Sequence, residues 1–407
     1  MLADHQESRP DAPYTPASPT RRSQWVQRLT RLALTGAIGI AAAGLGLRFG
    51  GSLARGDVGR VHLDNWETVT VVAACLIALP VVLLVHELGH LLGGRLVGFR
   101  AFLLIIGPMR LERSQAGWAM HLNKEPALYG GMAGSAATDA RNLGRRTAVL
   151  VAGGPVASAD LALGAGLVLH ALDLSLRNAS ASFTSLLSFL ALQTLSLVSA
   201  AICIVTLVPM QTSGFMTDGA RLLRLLRGGP VAERDIAIQA IIGSSLSGVR
   251  PRNWDTALIN TARELRDGSM FEFIGLQFAQ MHAADRGDVE QSLLLLRQLL
   301  QHVDRIPKMM IAAMHLDAAR QFALAGQVNE ARAHIALAKG PVMGAPYLKP
   351  LAEAALLVAE GRDAESAALL PTIRPKLARS IDRGASIWLT DVIDELQARI
   401  NSRQISR

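Results

Sequence analysis

Two histidines and a glutamate lie close together in the stretch VVLLVHELGHLLGG, residues 81–94. His86 and His90 are four residues apart, so on an α-helix both imidazoles face the same way and can reach one ion. Glu87 directly follows His86. Its carboxylate would lie near the coordination position left open on such an ion, where it can take a proton from a bound water. The H-E-x-x-H spacing therefore predicts a catalytic zinc site with Glu87 as the general base, the arrangement that metalloproteases use.

The motif stands at the end of an apolar run in which polar side chains are costly. Residues from Thr68 to Val85 carry no charge. Histidine and glutamate at membrane depth must face a polar cavity or a ligand, so this placement favours the metal site. The alternative is a structural role, in which the three side chains only pair with neighbouring helices.

A catalytic zinc needs a third protein ligand, and the sequence offers two carboxylates near membrane depth. Asp218 follows the last apolar run, after Pro209 and Gly214, which can break the helix and let the chain return toward the motif. Asp160 lies 13 residues inside the run that starts at Thr147, about 20 Å along a helix and deeper than the histidines. We predict Asp218 as the ligand. Asp160 is the alternative, and it otherwise lines a water cavity or bonds another span.

The composition predicts a membrane protein. Half of the 407 residues are apolar and only 18% are charged, and the apolar residues concentrate before residue 217. The net charge of +8 arises from arginines beside apolar runs rather than from a basic stripe with aromatics, so we expect no nucleic-acid partner. The only cysteines, Cys75 and Cys203, fall in apolar runs, which argues against a disulfide framework.

We predict a mainly α fold with about four spans and a soluble C-terminal domain. Residues 1–30 read as a disordered tail. Residues 31–66 hold a short first span and an external loop, and the span is either a retained signal-anchor or a cleaved signal peptide. Residues 67–226 form a membrane core with three further spans, and residues 227–407 form the soluble helical domain.

Arginines define the expected orientation in the membrane. The loop that follows the motif, from about residue 95 to residue 146, is rich in arginine, so the positive-inside rule places it in the cytoplasm. The N-terminus and the C-terminal domain are then cytoplasmic too, in a multi-pass protein of a bacterial plasma (inner) membrane. Short apolar bursts broken by Gly-Pro and Gly-Gly predict small strands in this loop, near the membrane surface.

The C-terminal part repeats a pattern of helix, glycine, polar turn and helix. The glycines Gly287, Gly326 and Gly361 are 39 and 35 residues apart. This spacing is close to a tetratricopeptide-like period, so we predict helical hairpins stacked into an α-solenoid-like domain that offers a groove to a protein partner. A plain helical domain without a ligand is the alternative.

The motifs HELGHLLGGRLVGF, GGPVAS and the downstream TDG occur in the order found in the site-2 protease family of intramembrane zinc metalloproteases. The chain resembles that family over about residues 67–226. The resemblance implies three membrane helices around one Zn²⁺ ion that is bound by His86, His90 and Asp218, with Glu87 as the general base.

The chain departs from the family's pattern at two positions. Thr206 stands where the family commonly has an asparagine ahead of Pro209, and Ser158 ends a Gly-Pro signature that commonly ends in asparagine. In the family those asparagines help to hold substrate. The candidates for substrate-binding or structural roles are Gly154, Pro155, Ser158, Asp160, Thr206 and Pro209. Gly154 and Pro155 also permit close helix approach and a local helix break.

The leading prediction is an intramembrane zinc endopeptidase that cleaves membrane-spanning or membrane-associated polypeptides with a zinc-bound water activated by Glu87. The alternative is a proteolytically inactive receptor or scaffold that recruits partners through its helical domain, and the departures at Thr206 and Ser158 favour it. A metal transporter would need further intramembrane ligands along a path, and beyond Asp160 the sequence offers none.

Overall fold

The computed structural model describes residues 65–114, 117–123, 128–176, 183–212, 215–303, 306–340, 342 and 345–405. Over these residues the chain is mainly helical, as predicted. The tail predicted to be disordered, and almost all of the segment that holds the predicted first span, lie outside the described residues.

Three long apolar helices form the first part of the described chain: α1 (Asn65–Leu96), α2 (Leu143–Leu176) and α3 (Phe183–Leu207). They contain stretches of 21, 30 and 25 residues that are long and apolar enough to cross a membrane. They correspond to the second, third and fourth predicted spans. Helix α2 continues through Pro155, so the local break that the sequence permits there is not formed. Exposed apolar side chains on the three helices, as lipid would favour, include Leu76, Ile77, Leu92, Leu163, Leu167 and Ile204.

A four-stranded antiparallel sheet joins α1 to α2, in the loop where the sequence predicts small strands. The strands are β1 (Phe99–Ile106), β2 (Met109–Ser114), β3 (Gly117–Leu122) and β4 (Met132–Ala137), in the order β3-β2-β1-β4. Strand β4 therefore passes the β2–β3 hairpin and pairs with β1. Within the described part of the chain, the other edge of β4 pairs with no strand.

A short two-stranded turn and two helices connect α3 to the C-terminal region. The turn consists of β5 (Gln211–Thr212) and β6 (Phe215–Met216), and the helices are α4 (Asp218–Arg227) and α5 (Pro230–Leu246). Thr217 directly precedes α4, and its side chain accepts a hydrogen bond from the backbone N–H of Ala220 and so caps the helix.

The C-terminal region consists of helices around one large apolar core. They are α6 (Thr256–Glu264), α7 (Met270–Asp285), α8 (Val289–Leu300), α9 (Lys308–Leu324), α10 (Val328–Leu337), α11 (Leu348–Ala359), α12 (Asp363–Leu377) and α13 (Arg383–Ile405). The pairs α7–α8, α9–α10 and α11–α12 are joined at Gly287, Gly326 and Gly361, with φ of +79°, +76° and +76°. These are left-handed conformations that glycine adopts most easily, so the three glycines end one helix and start the turn to the next.

Helix α5 joins the C-terminal region to the long apolar helices and to the sheet. Gly243 lies against the Ala137 carbonyl at the end of β4, and a Cβ there would be 2.6 Å from that oxygen. Thr147 on α2 donates a 2.6 Å hydrogen bond to Gln239. Arg224 on α4 donates a 2.8 Å hydrogen bond to Asp235. Helix α5 therefore contacts β4, α2 and α4.

A buried carboxylate fixes the segment between α5 and α7. The Asp285 side chain is fully buried. It accepts hydrogen bonds from Arg250 Nη2 at 2.6 Å and from the Arg252 backbone N–H at 2.8 Å. Burial alone would raise the pKa of Asp285, but the hydrogen bonds from Arg250 and Arg252 outweigh it and lower that pKa.

We expect Asp285→Ala to lower the free energy of unfolding by about 3 kcal/mol, because it leaves buried donors without an acceptor. Asp391→Ala removes a half-exposed partner of the same Arg250 and should cost about 1 kcal/mol or less. Urea unfolding of the detergent-solubilised full chain, followed by circular dichroism, measures both. The pKa of Asp285 is lower in the folded state than in the unfolded state, where it is about 3.9. The ionised carboxylate therefore stabilises the fold at pH values above about 3.9, and this stability should be lost as pH falls through the folded-state pKa. Equal costs for the two variants would contradict this account.

Candidate metal centre

Helix α1 presents two imidazoles to α2. His86 and His90 lie one helical turn apart with buried side chains. Their Nε2 atoms are 3.2 Å apart. His90 is six residues before Leu96, which is about 9 Å along the helix from the end of the apolar stretch. The pair therefore lies inside the apolar segment but near one end of it.

Partners on α2 orient both rings. His90 Nδ1 is 3.0 Å from the Leu150 carbonyl oxygen, which can only accept a hydrogen bond. Nδ1 must therefore carry the proton, and in the neutral ring Nε2 then presents its lone pair. The Gly154 N–H also approaches Nδ1 but is farther away, at 3.3 Å. His86 Nδ1 is 2.9 Å from Ser158 Oγ, a partner that holds its Nε2 toward the same point.

Asp218 brings a carboxylate to the two imidazoles. Asp218 Oδ2 is 3.2 Å from His86 Nε2 and 3.4 Å from His90 Nε2. As the first residue of α4, Asp218 lies where the helix dipole favours a negative charge. Its position depends on Gly219, because a Cβ on that residue would overlap the Leu207 carbonyl at the end of α3.

Thr217 ties this helix start to the preceding turn. Its hydroxyl donates to the Val208 carbonyl at 2.8 Å and accepts from the Met210 N–H at 2.9 Å. The same oxygen accepts from Ala220 at 3.3 Å. The Asp218 carboxylate is thus held from both sides, by the end of α3 and by the cap of α4.

The three converging atoms form a triangle whose size fits a metal ion. Its edges are 3.2, 3.2 and 3.4 Å. In a tetrahedral zinc site with ligand distances of about 2.0–2.1 Å, neighbouring ligand atoms are about 3.3 Å apart. Charge-assisted N–H···O hydrogen bonds are shorter, about 2.7–2.9 Å. The spacing therefore matches ligands around a cation better than direct hydrogen bonds between the side chains.

Charge also favours a cation in this triangle. Burial alone would raise the pKa of Asp218, but interactions with His86 and His90 outweigh it and lower that pKa to about 2. That lowering reflects protons on the two imidazoles, and a cation bound by the three side chains would take the place of those protons. Among the described residues, these three are the one group of His, Cys, Asp or Glu side chains close enough to hold a metal ion together.

Glycines let α1 and α2 approach closely at the site. A Cβ on Gly89 would overlap the Gly153 carbonyl, and a Cβ on Gly153 would overlap the Gly89 carbonyl. A Cβ on Gly154 would overlap the His90 ring. The imidazole therefore fills the space that Gly154 leaves without a side chain, which gives this predicted residue a structural role.

Glu87 contacts the sheet at the start of β4. Its side chain is 7% exposed, and a Cβ on Gly131 would be 2.5 Å from its Oε1 atom. The carboxylate also interacts with the backbone of Ala133 on β4 and with the charges of the three ligand side chains. It thus lies against the start of β4 and within electrostatic range of the three candidate ligand side chains.

The other predicted site residues lie in different places. Pro155 is buried in α2, and Ser158 is the partner of His86. Asp160 is exposed on α2, and Pro209 is exposed beyond the end of α3. The Thr206 hydroxyl donates to a carbonyl of its own helix, that of Cys203. The structure therefore groups Asp218 with the histidines and leaves Asp160 outside.

Sequence reasoning missed four residues that shape the site: Gly89, Gly131, Thr217 and Gly219. Gly219 belongs to the motif TDG and Gly89 to the stretch around the histidines, but the sequence alone does not indicate that either position lacks room for a side chain. A threonine directly before an aspartate at a helix start is a capping signal that was available for Thr217. Gly131 carries no such signal, because its contact with Glu87 arises only when the sheet folds against α1.

Comparison with known proteins assigns no family to this chain. No family model matches it, and no curated protein and no solved structure matches it. The function of the protein is therefore inferred from its own sequence motifs and from the geometry of the site.

We expect the purified full chain to bind one zinc ion. Asp218→Asn should weaken zinc binding by more than about 100-fold, because losing a ligand costs more than losing a partner of a ligand. Asp160→Asn makes the same chemical change on the exposed surface of α2 and should leave zinc binding unchanged. Zinc content after dialysis against graded chelator, measured by mass spectrometry, separates the two. Loss of zinc from Asp160→Asn with retention in Asp218→Asn would reverse the assignment.

Ser158→Ala should weaken zinc binding by about 10- to 100-fold, because His86 loses the partner that orients its ring. Ser196→Ala is the matched control. Ser196 lies on α3 and, like Ser158, makes a hydrogen bond to a neighbouring helix, here a 2.8 Å bond to the Ala162 carbonyl of α2. It does not contact the histidines. The same chelator titration measures both variants. Equal effects would mean that the loss reflects helix packing rather than ring orientation.

Proposed function

We propose that the protein is an intramembrane zinc endopeptidase that hydrolyses peptide bonds of membrane-spanning or membrane-associated polypeptides. The observation that carries this proposal is the convergence of His86 Nε2, His90 Nε2 and Asp218 Oδ2, beside Glu87, within a helix apolar enough to cross a membrane. The resemblance of the motifs to the site-2 protease family supports the same activity.

The chemistry divides between the ligands and Glu87. His86, His90 and Asp218 would hold the zinc ion, and the ion would supply Lewis-acid chemistry toward a scissile carbonyl and a water molecule. Glu87 is the general base, which takes a proton from the attacking water and later returns it to the leaving amine. The Leu150 carbonyl favours the His90 tautomer that ligation requires, and Ser158 orients the His86 ring.

The unpaired edge of β4 supports an extended polypeptide as the substrate. Residues 132–135 are half-buried, whereas Ala136 and Ala137 are buried near α5. An extended segment can add to such an edge by main-chain hydrogen bonds. Glu87 lies against Gly131 and interacts with Ala133 at this edge, so a strand bound there would pass close to the general base. A membrane helix would have to unwind locally to bind in this way.

We propose four spans in a plasma (inner) membrane, with the first span in residues 31–66 and both termini in the cytoplasm. The arginines after α1 support this orientation. Water would reach the site from the cytoplasmic side, because His90 lies near that end of α1. The helical hairpins would form a cytoplasmic, solenoid-like domain that binds a protein partner.

The geometry around Glu87 favours a protease over a proteolytically inactive receptor. A structural zinc site needs no general base. Glu87 is nevertheless buried next to the ligands, where an ionisable group is costly unless it has a role.

We expect Glu87→Gln to retain one zinc ion per chain and to abolish cleavage, since glutamine cannot take the proton. In cells, quantitative proteomics of membrane-protein fragments should show fragments that depend on the wild-type chain and are absent with Glu87→Gln. Zinc content of the two purified proteins is the control. Identical fragment patterns with equal zinc would refute the proteolytic proposal and favour the receptor.

A further inference from the structure

A groove lies where the sheet meets the C-terminal region, away from the metal ligands. Its volume is about 420 Å³, within the range of small-molecule sites. Three arginines from three different elements line it: Arg100 on β1, Arg113 on β2 and Arg383 at the start of α13. The groove also runs along Ala136 and Ala137, at the end of β4 that lies farther from Glu87.

The three guanidinium groups have no acidic partner within the described residues. None of the residues that line the groove is acidic, and none of the three arginines forms an ion pair. Elsewhere in the C-terminal region, arginines such as Arg250 and Arg332 pair with carboxylates. Three unpaired positive charges around one groove repel one another, so the groove favours an anion.

The carboxylates that neighbour the groove in sequence are engaged elsewhere. Glu112 pairs with Arg110 at 2.8 Å, and Asp139 pairs with Arg146 at 2.8 Å. Asp382 accepts from the Ser245 hydroxyl at 2.6 Å and from a backbone N–H of α13 at 2.9 Å. These contacts leave the groove without a neutralising group of its own.

The rest of the lining indicates what kind of anion would fit. Thr138 and Ser247 add hydroxyl groups, and Phe102, Leu246 and Ile381 add apolar surface. Arginine binds phosphate oxygens through two parallel hydrogen bonds and is the residue of choice for phosphate recognition. An ester that joins a phosphate to a less polar group would use both parts of this lining.

We propose that this groove binds a phosphate ester, with Arg100, Arg113 and Arg383 contacting the phosphate. Two sources have this chemistry. One is the headgroup of an anionic phospholipid, which is within reach if β1, which starts three residues after the end of α1, lies at the membrane surface. The other is a soluble phosphate compound. The proposal does not depend on the proteolytic function.

The test uses the full chain in phosphatidylcholine nanodiscs. In one arm, inorganic pyrophosphate is titrated by calorimetry as the soluble probe. In the other, phosphatidylglycerol is added to the nanodisc lipid, and the bound molecules per chain are counted by native mass spectrometry. Saturable binding in the first arm identifies a soluble source, and saturable binding in the second alone identifies the lipid.

Arg100→Gln, Arg113→Gln and Arg383→Gln should each weaken the binding by about tenfold, the effect of one charged hydrogen-bonding partner. Arg383→Lys keeps the charge but loses the planar fork, so its loss should be smaller than that of Arg383→Gln. Arg95→Gln is the matched control, because Arg95 is exposed at the end of α1 and does not line the groove. All four arginine side chains are exposed, so thermal unfolding should be unchanged in the five variants.

Three results would overturn the proposal. The first is the absence of saturable binding in both arms. The second is an equal loss with Arg95→Gln, which would mean general attraction of anions to a basic surface. The third is binding of an oligoglutamate peptide where neither phosphate probe binds, which would assign the groove to an acidic polypeptide instead.

Discussion

The metal-ligand geometry depends on the close contact between α1 and α2. At Gly89 and Gly153 the two backbones approach so closely that neither position has room for a Cβ. In a membrane, lipid tails are as apolar as leucine, so helices associate through such close packing and through hydrogen bonds between them. Here the hydrogen bonds are those of the ligand imidazoles, His86 with Ser158 and His90 with the Leu150 carbonyl. The contact between α1 and α2 therefore also provides hydrogen-bond partners for His86 and His90, whose burial in an apolar helix would otherwise be costly.

The third ligand is fixed by a second contact of the same kind. Gly219 has no room for a Cβ because its Cα lies against the Leu207 carbonyl, and Thr217 bonds both the turn before it and the helix after it. Asp218 lies between these two anchors. The two close contacts, one between α1 and α2 and one between α3 and α4, thus hold all three ligand atoms without a long flexible side chain. Such preorganisation lowers the entropic cost of binding an ion.

The sequence predicts the parts of this site that depend on local geometry. The spacing of His86 and His90 alone places both imidazoles on one helix face, and the glycines of the C-terminal hairpins mark their turns directly. The choice of Asp218 over Asp160 depends on which carboxylate lies at the same depth as the histidines, and this follows from the order of the predicted spans. The sheet order could not be predicted, because β4 pairs with β1 across the intervening hairpin. The contact of Gly131 with Glu87 follows from that pairing and was missed with it. The continuity of α2 through Pro155 also depends on packing, which supports the helix where a backbone donor is lost.

Helix α5 gives the C-terminal region a direct mechanical link to the site. Asp235 of α5 accepts a hydrogen bond from Arg224 of α4, the helix that begins with Asp218. Gln239 of α5 accepts a hydrogen bond from Thr147 of α2. Nearer its C-terminus, Gly243 packs on the last residue of β4, whose other end borders Glu87. Helix α5 therefore contacts both the helix that begins with Asp218 and the strand that borders Glu87. The arginine-lined groove reaches the C-terminal end of this same helix at Leu246 and Ser247. The groove therefore borders the same helix that contacts α2, α4 and β4.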